Sequence, residues 1–98
     1  MSVEGQLIGN TAVLVIKGRF DIASYEAFNR AYTELLGRAE QVQVDLSTTT
    51  FMDSSALGML LLLREKAGDS VHIELINADE EVAKILQIAQ FHQLFTIR

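Results

Sequence analysis

The chain has 98 residues, enough for one modest hydrophobic core and too few for two independently stable domains. A net charge of -5 with scattered basic residues argues against a surface that binds the phosphate backbone of nucleic acids. No cysteine is present to build a disulfide framework, and apolar runs such as residues 59–63 are far shorter than the roughly 20 residues of a membrane-spanning helix. The N-terminus also lacks the basic and apolar regions of a secretory signal. We therefore expect a single cytoplasmic domain over residues 1–98, with neither nucleic acid nor a membrane as partner.

The first predicted elements are two strands joined by a tight turn. Residues 11–16 contain a short, continuous apolar run rich in β-branched side chains and are soon followed by Gly18, which is typical of a buried strand. Residues 1–8 are placed to pair with this strand across Gly9-Asn10, a dipeptide that permits a hairpin turn without requiring one.

The hydrophobic period changes from Ser24 onward, where a helix is predicted. Apolar side chains recur there at spacings of three and four, which places them along one stripe of the helix: Phe28, Ala31, Tyr32, Leu35, Leu36 and Ala39. On the polar side we expect Glu26 to pair with Arg30, and Glu34 with Arg38.

Two further strands and two further helices follow. Residues 42–46 and 71–75 alternate apolar and polar side chains with the strand period of two. Residues 54–66 have the length and composition of a helix that ends at Gly68. A last helix is predicted to begin near Asp79, where three consecutive acidic residues suit the positive end of a helix.

The order of these elements predicts an α/β fold. Residues 91–97 fit either a helical turn or a short final strand. The strands before them alternate with helices, which indicates parallel neighbouring strands joined by crossovers. If the strands lie side by side in chain order, every crossover helix covers the same face, and polar positions such as Gln43 and Glu74 indicate an open opposite face. We predict a mixed, mostly parallel sheet of four or five strands with helices packed mainly on one face.

The segment from Asp53 to Gly58 is the candidate for chemistry. It follows the strand at residues 42–46 and a polar loop at residues 47–50, and it begins the next helix, a place that ligands of α/β sheets favour. The first turn of a helix has free N–H groups and a partial positive charge, so both would stabilise a phosphate on a serine there. Asp and Ser are equally the preferred N-cap residues, so the spacing also permits a simple helix cap.

The residues on either side of this segment are candidates for partner contacts. Phe51 and Met52 are possible exposed docking residues, and we expect one of the two to pack in the core. Residues 59–63 make the helix apolar around much of its circumference, which predicts burial with part of the stripe left for a partner.

The sequence around Asp53 resembles a family signature. Residues 42–47 read VQVDLS and residues 51–60 read FMDSSALGML, which closely resembles the STAS domains of anti-anti-sigma factors. The Asp-Ser-Ser core is a specific match, whereas the likeness at residues 18–21 and 94–97 is weak at each place alone. Residues 77–78 resemble the loop before the third helix of the family. Together these stretches extend the resemblance nearly end to end, and it implies the STAS fold.

The resemblance implies a site of reversible phosphorylation. In that family the second serine of Asp-Ser-Ser accepts phosphate from an anti-sigma serine kinase, and here that serine is Ser55. It further implies that Asp53 lies beside the acceptor and that Asp21 lies near it on the adjoining loop. The remaining phosphosite surroundings and docking positions implied are Met52, Ser54, Ala56 and Gly58. Many members have glycine where this chain has Ala56, but both residues are small and alanine is the better helix former, so the expectation stands.

The same resemblance implies the partners and their order of action. The unmodified protein would bind an anti-sigma factor or serine kinase-like regulator, phosphorylation by that partner would break the complex, and a PP2C-type phosphatase would restore it. The alternative function is a constitutive STAS subunit of a transport or signalling assembly, without control by phosphorylation.

No enzyme activity, cofactor or metal is expected. Neither His72 nor His92 falls in a predicted loop beside Ser55, where a serine nucleophile would need a base. The sequence also contains no Gly-x-Ser-x-Gly elbow and no Walker loop, and the histidines lack ligand partners at metal-binding spacing. The chain would be a substrate of phosphorylation and a binding protein.

Overall fold

A computed structural model of the chain describes residues 2–98. Its six strands are β1 (Ser2–Ile8), β2 (Thr11–Phe20), β3 (Gln41–Asp45), β4 (Thr49–Met52), β5 (His72–Ile76) and β6 (Thr96–Ile97). Its three α-helices are α1 (Tyr25–Leu36), α2 (Ser54–Ala67) and α3 (Glu80–Ile88). Short 3₁₀ helices cover Ile22–Ser24 and Phe91–Gln93, so the C-terminal segment forms both of the structures that its sequence allowed, a helical turn and then a short strand.

The first two strands form the predicted hairpin. They pair antiparallel from Ser2 opposite Lys17 to Ile8 opposite Thr11, which leaves Gly9 and Asn10 as the turn. Gly9 has a φ of 62°, the left-handed value that the first position of a type II′ turn requires. Residue 1 of the predicted strand lies outside the described residues.

The remaining strands extend the sheet by parallel pairing. The order is β1-β2-β3-β5-β6, so these five strands do lie in chain order, and β2 pairs with β3, β3 with β5, and β5 with β6 in parallel. The predicted mixed, mostly parallel α/β sheet is confirmed, with one strand more than was expected.

The additional strand is β4, which the sequence indicated as part of a polar loop. It pairs with the end of β2 after a shift of register between Gly18 and Arg19, and its hydrogen bonds begin where Gly18 N–H donates to Thr48 O at 2.9 Å. The Thr49 hydroxyl donates to Ile16 O at 2.9 Å, so this polar side chain is buried with its hydrogen bond satisfied. This short polar stretch forms a strand because the backbone groups at the end of β2 are available to pair with it.

One face of the sheet carries the core and the other is open. The inward residues of β2, β3 and β5 are almost fully buried: Ala12, Leu14, Ile16, Val42, Val44, Ile73 and Leu75. α1 packs over β1 and β2, while α2 and α3 contact β4. On the open face Gln43 donates to Glu74 Oε1 at 3.0 Å and Arg98 donates to the same oxygen at 3.1 Å. The prediction of helices mainly on one face is confirmed.

The helices differ in how much of their surface is buried. α1 buries one stripe, Phe28, Tyr32 and Leu35, as its spacing predicted, but it ends at Leu36, so the prediction of Ala39 on the helix is wrong. α2 buries Ala56, Met59, Leu60 and Leu63 but leaves Leu61 41% exposed, which agrees with the expected burial and a remaining exposed stripe. The predicted ion pairs along α1 are wrong, since none of the pairs within 4.0 Å in residues 2–98 joins Glu26 to Arg30 or Glu34 to Arg38.

The helices of residues 2–98 include none that combines the length and the apolar character needed to cross a membrane.

Candidate functional site

The pairing of β2 with β4 brings two helix starts to the same edge of the sheet. Phe20 lies opposite Met52 as the last residue pair of this ladder. An aspartate follows each strand directly, Asp21 after β2 and Asp53 after β4. Each aspartate is the N-cap of the helical segment that comes next. Asp21 and Asp53 therefore each follow one member of the residue pair that ends the β2–β4 ladder.

Asp53 holds the first turn of α2 with one carboxylate oxygen. Its Oδ1 accepts hydrogen bonds from Ser55 N–H at 3.0 Å and Ala56 N–H at 3.2 Å, which satisfies two of the donors left free at the helix start. The Ser55 hydroxyl donates to the same oxygen at 2.6 Å. Three donors thus converge on one atom, and the hydroxyl of Ser55 is fixed in orientation by the cap.

This convergence stabilises the ionised form of Asp53. The hydrogen bond from the Ser55 hydroxyl is the largest cause that holds the pKa of the Asp53 carboxyl below its ordinary value of 3.8. Partial desolvation opposes this effect, whereas the two N–H donors and the positive charge of Arg19 add to it. The site therefore presents a carboxylate and a serine hydroxyl side by side at the positive end of a helix.

The two serines of this turn differ in their surroundings. Ser54 is the first residue of α2 and is exposed, while Ser55 is half-buried and bonded to Asp53. Because only Ser55 has its oxygen set against a carboxylate, the geometry distinguishes between the two neighbouring hydroxyls.

Arg19 is the cation of this site, and no sequence pattern pointed to it. Its Nε lies 3.3 Å from Asp21 Oδ2, and its guanidinium carbon lies 3.8 Å from the centroid of the Phe51 ring. Arg19 faces Phe51 because the two residues are partners in the β2–β4 ladder. The sequence could show only that Arg19 points outward on β2 next to inward Phe20. Its place near Asp53 depends on β4, which the sequence pattern did not predict.

Asp21 caps the 3₁₀ helix that precedes α1. Its side chain accepts from Ala23 N–H at 3.1 Å, and its own N–H donates to the Ser24 hydroxyl at 3.3 Å. The buried Ser24 hydroxyl in turn donates to Arg19 O at 3.1 Å. Asp21 therefore has a structural role of its own, and its carboxylate also fixes the Arg19 side chain.

Two of the positions expected to surround the phosphosite are inside the protein. Met52 is 3% exposed and Ala56 is fully buried, so neither side chain can contact a partner directly. The expected docking role of Met52 is therefore corrected, since the alternation of β4 turns Met52 into the core and leaves Phe51 half-buried beneath Arg19. Burial also requires a small residue at Ala56, in agreement with the substitution noted above.

An exposed stripe leads from the site along α2. Ser54, Gly58 and Leu61 recur at spacings of four and three, which places them on one helix face, and all three are exposed. A Cβ atom at Gly58 would have no neighbour within 4 Å, so the fold itself does not require glycine there. Ile22, which follows Asp21, adds an apolar side chain that is 70% exposed at the same edge.

The two histidines lie apart from this arrangement. His72 is the first residue of β5, at the opposite end of the sheet, where its Nε2 lies 3.1 Å from Thr96 Oγ1. His92 belongs to the C-terminal 3₁₀ helix. Within residues 2–98 no three His, Cys, Asp or Glu side chains converge as a metal site would require.

Comparisons with known proteins match most of the length of the chain. Residues 4–96 match the family model described as "Mlab, STAS domain". A STAS-domain containing protein of Pseudomonas aeruginosa strain UCBPP-PA14 is 46% identical over 90 residues, which cover 91% of this chain and 89% of that protein.

Solved structures share the fold at low sequence identity. An anti-sigma factor antagonist from Mycobacterium paratuberculosis has a TM-score of 0.87 at 17% identity, covering 98% of this chain and 83% of that one. The anti-sigma factor antagonist SpoIIAA in its unphosphorylated form has a TM-score of 0.75 at 19% identity, covering 99% of this chain and 87% of that one. The phosphorylated form of the Bacillus protein SpoIIAA has a TM-score of 0.73 at 20% identity, covering 99% and 91%.

Proposed function

We propose that this chain, which belongs to the STAS-domain family, acts as an anti-sigma factor antagonist by partner switching. In its unphosphorylated form it binds an anti-sigma factor or a serine kinase-like regulator. Phosphorylation of Ser55 releases that partner, and a PP2C-type phosphatase restores binding. The exchange takes place in the cytoplasm, and the chain serves in it as a binding protein and phosphate acceptor without catalysing a reaction.

The observation that carries the proposal is the hydrogen bond from the Ser55 hydroxyl to Asp53 Oδ1 at 2.6 Å. A phosphate ester has no hydroxyl proton at this oxygen, so phosphorylation removes the bond and places roughly -1.5 to -2 charges next to a carboxylate. Asp53 and the new phosphate then compete for the N–H groups of Ser55 and Ala56. The modification therefore changes the charge and the side-chain positions in the first turn of α2.

Arg19 is the nearby cation that can offset this charge. It already contributes to the low pKa of Asp53, and its guanidinium is exposed beside Asp21. Phosphate oxygens are strong acceptors for a guanidinium, so we expect Arg19 to turn from Asp21 toward phosphorylated Ser55. This shift moves the side chains on the rim of the site while leaving the buried residues of β4 and α2 in place.

The exposed stripe of α2 is the proposed docking surface, and it supports the same function. Ser54, Gly58 and Leu61 offer a partner a small polar residue, a bare backbone and an apolar side chain in sequence, and Ile22 adds an apolar contact at the rim. Phosphate on Ser55 alters the potential at one end of this surface. A loss of a few kcal/mol is sufficient for release, because every 1.4 kcal/mol changes affinity about tenfold.

The second candidate is a constitutive STAS subunit of a transport or signalling assembly. It is favoured by the description of the matched family model, which names Mlab and not an anti-sigma factor antagonist. In that case the Ser55–Asp53 hydrogen bond would serve only to cap α2, and modification would have no part in assembly.

A binding experiment with matched serine variants separates the two candidates. Wild type, Ser55→Ala and Ser55→Asp are used to retain partners from a lysate, and the retained proteins are examined for a kinase-like ATPase. Ser70→Ala and Ser70→Asp are the controls, because they make the same changes at an exposed serine just before β5, at the end of the sheet opposite Asp53. Switching predicts that Ser55→Ala keeps the partner and Ser55→Asp loses it, whereas equal retention by both favours the constitutive subunit.

The phosphoacceptor is tested separately by intact-mass analysis after incubation with the partner and ATP. One phosphate on wild type and none on Ser55→Ala is the expected result. Modification of Ser55→Ala together with loss of modification in Ser54→Ala would move the site to Ser54.

A further inference from the structure

β1 forms a long free edge of the sheet. It spans seven residues and, within residues 2–98, pairs only with β2, whereas the opposite edge strand β6 has two residues. In a hairpin with a two-residue turn, the Ile8–Thr11 pair exchanges both hydrogen bonds and every second pair does the same. Val3, Gly5 and Leu7 therefore direct their N–H and C=O groups away from β2. Such an edge, without proline or an inward-pointing charge, is a template for another strand.

A groove between β1 and α1 runs along this edge. Its walls include Val3 and Gly5 on the strand and Ala27, Arg30, Ala31 and Glu34 on the helix. Arg30 and Glu34 are exposed and of opposite charge, one helical turn apart, and no ion pair within residues 2–98 uses either of them. The surface next to the free edge thus carries one positive and one negative charge in line with the strand.

We propose that two copies of this chain form a symmetric dimer by antiparallel pairing of their β1 strands, centred on Gly5. A two-fold axis makes an interface in which residue i meets residue j and j meets i. Pairing centred on Gly5 sets Val3 opposite Leu7 of the partner subunit and Glu4 opposite Gln6 of the partner subunit. No two like charges meet along the strands, and the dimer has one continuous sheet.

The charged side chains Arg30 and Glu34 on α1 independently require a two-fold axis at the same place. Antiparallel α1 helices bring Arg30 to Glu34 of the partner subunit, and Glu34 to Arg30 of the partner subunit, only if the axis passes beside the midpoint of the two residues. Gly5 lies at this level of α1, because a Cβ atom at Gly5 would be 3.5 Å from Ala31 Cβ and 3.2 Å from Leu35 Cδ1. The centre of the strand and the centre of the charge pair therefore coincide.

The spacing of the elements allows the two helices to touch. Neighbouring strands lie about 4.8 Å apart. Each α1 packs over β1 and β2 of its own subunit, so pairing of the two β1 strands brings the two α1 helices within about 10 Å of each other. Helices pack at about 8–10 Å, and small residues favour the closer approach. Ala27 and Ala31 supply such residues on the facing side of α1.

Charge exchange between chains tests the proposal without disturbing the fold, because Arg30 and Glu34 are both exposed. Sedimentation equilibrium of the full chain is expected to give twice the chain mass of 10.9 kDa for wild type. Arg30→Glu and Glu34→Arg each place like charges across the axis, so each weakens dimerisation at least about tenfold. The double variant restores complementary charges and hence the dimer.

Mixing the two single variants gives the sharpest result. A chain with two acidic residues at these positions complements a chain with two basic ones, so the mixture forms a heterodimer although neither variant dimerises well alone. Glu81→Arg on α3 is the control with the same change of charge as Glu34→Arg, and it keeps the mass of the wild-type dimer. A wild-type monomer at millimolar concentration, single variants that dimerise like wild type, or a mixture that stays monomeric would each overturn the proposal.

Discussion

Helices α2 and α3 each begin with an aspartate N-cap but differ in the charge of their first turn. Asp53 caps α2 ahead of Ser54 and Ser55, while Asp79 caps α3 and accepts from Val82 N–H at 2.9 Å. The residue of α3 that corresponds to Ser55 is Glu81, an exposed carboxylate. A helix start of this fold therefore accommodates a permanent negative charge at that position, and α2 differs in keeping it neutral.

The difference between α2 and α3 distinguishes the residues that begin a helix from those that serve the proposed switch. An aspartate cap satisfies helix-end N–H groups in both helices, so the cap alone does not mark a functional site. α2 differs from α3 in the hydroxyl bonded to the cap and in the neighbouring Arg19. These two features have no counterpart in the capping bonds of α3 and are the ones that phosphate would change.

The largest expected effect comes from giving α2 the charge that α3 already carries. Ser55→Glu should keep the free energy of unfolding within about 1 kcal/mol of wild type, because a carboxylate in the first turn favours the helix. Affinity for the partner should fall about a hundredfold or more, measured by titration calorimetry. Glu81→Ser, the reverse change in α3, should leave affinity unaltered. Normal binding by Ser55→Glu would remove the basis for the switch.

Removing each cap should next show how much the shared capping bonds contribute. Asp53→Ala and Asp79→Ala are each expected to lower the free energy of unfolding by about 1–2 kcal/mol in urea denaturation. The effect at Asp53 should be the larger, because three donors lose their acceptor there. Asp53→Asn should recover most of the stability, since asparagine is also a good N-cap. A larger loss at Asp79 would contradict this ranking.

Gly58 offers a smaller test that moves stability and binding in opposite directions. Gly58→Ala should raise the free energy of unfolding by about 0.5–1 kcal/mol, because alanine is the better helix former and the added Cβ meets no neighbour within 4 Å. Partner affinity should fall about tenfold if the bare backbone is a contact. Gly37→Ala at the end of α1, which is equally uncrowded, is the matched control for stability alone. Unchanged affinity in Gly58→Ala would exclude that contact.

The smallest effect is on the ionisation of Asp53. Its folded pKa lies below 3.8, so its contribution to stability is present above that pH and is lost as pH falls through the lower folded value. Ser55→Ala removes the largest cause of the lowered pKa, and the carboxyl should titrate closer to 3.8. Carbon-detected NMR titration of the side chain measures this, with Ser54→Ala as control. An identical titration in all three proteins would show that the hydroxyl does not act on Asp53.

The sequence by itself determined most of the architecture and one part of the site. The buried side of β3, β5 and α1 follows from their sequences alone. Side chains on one face recur every two residues in a strand and every three or four in a helix, so the apolar positions identify the buried face. Aspartate and serine at the start of α2 likewise specify a cap from local chemistry.

Only the tertiary structure decided what surrounds that cap. β4 has four residues, and it becomes a strand because the end of β2 supplies its hydrogen bonds and Ile16 O accepts from the Thr49 hydroxyl. Its register turns Met52 inward, sets Phe51 against Arg19 and places Asp21 and Asp53 each one residue beyond the paired Phe20 and Met52. These relations join residues about 30 positions apart, and the period of either segment alone contains no information about them.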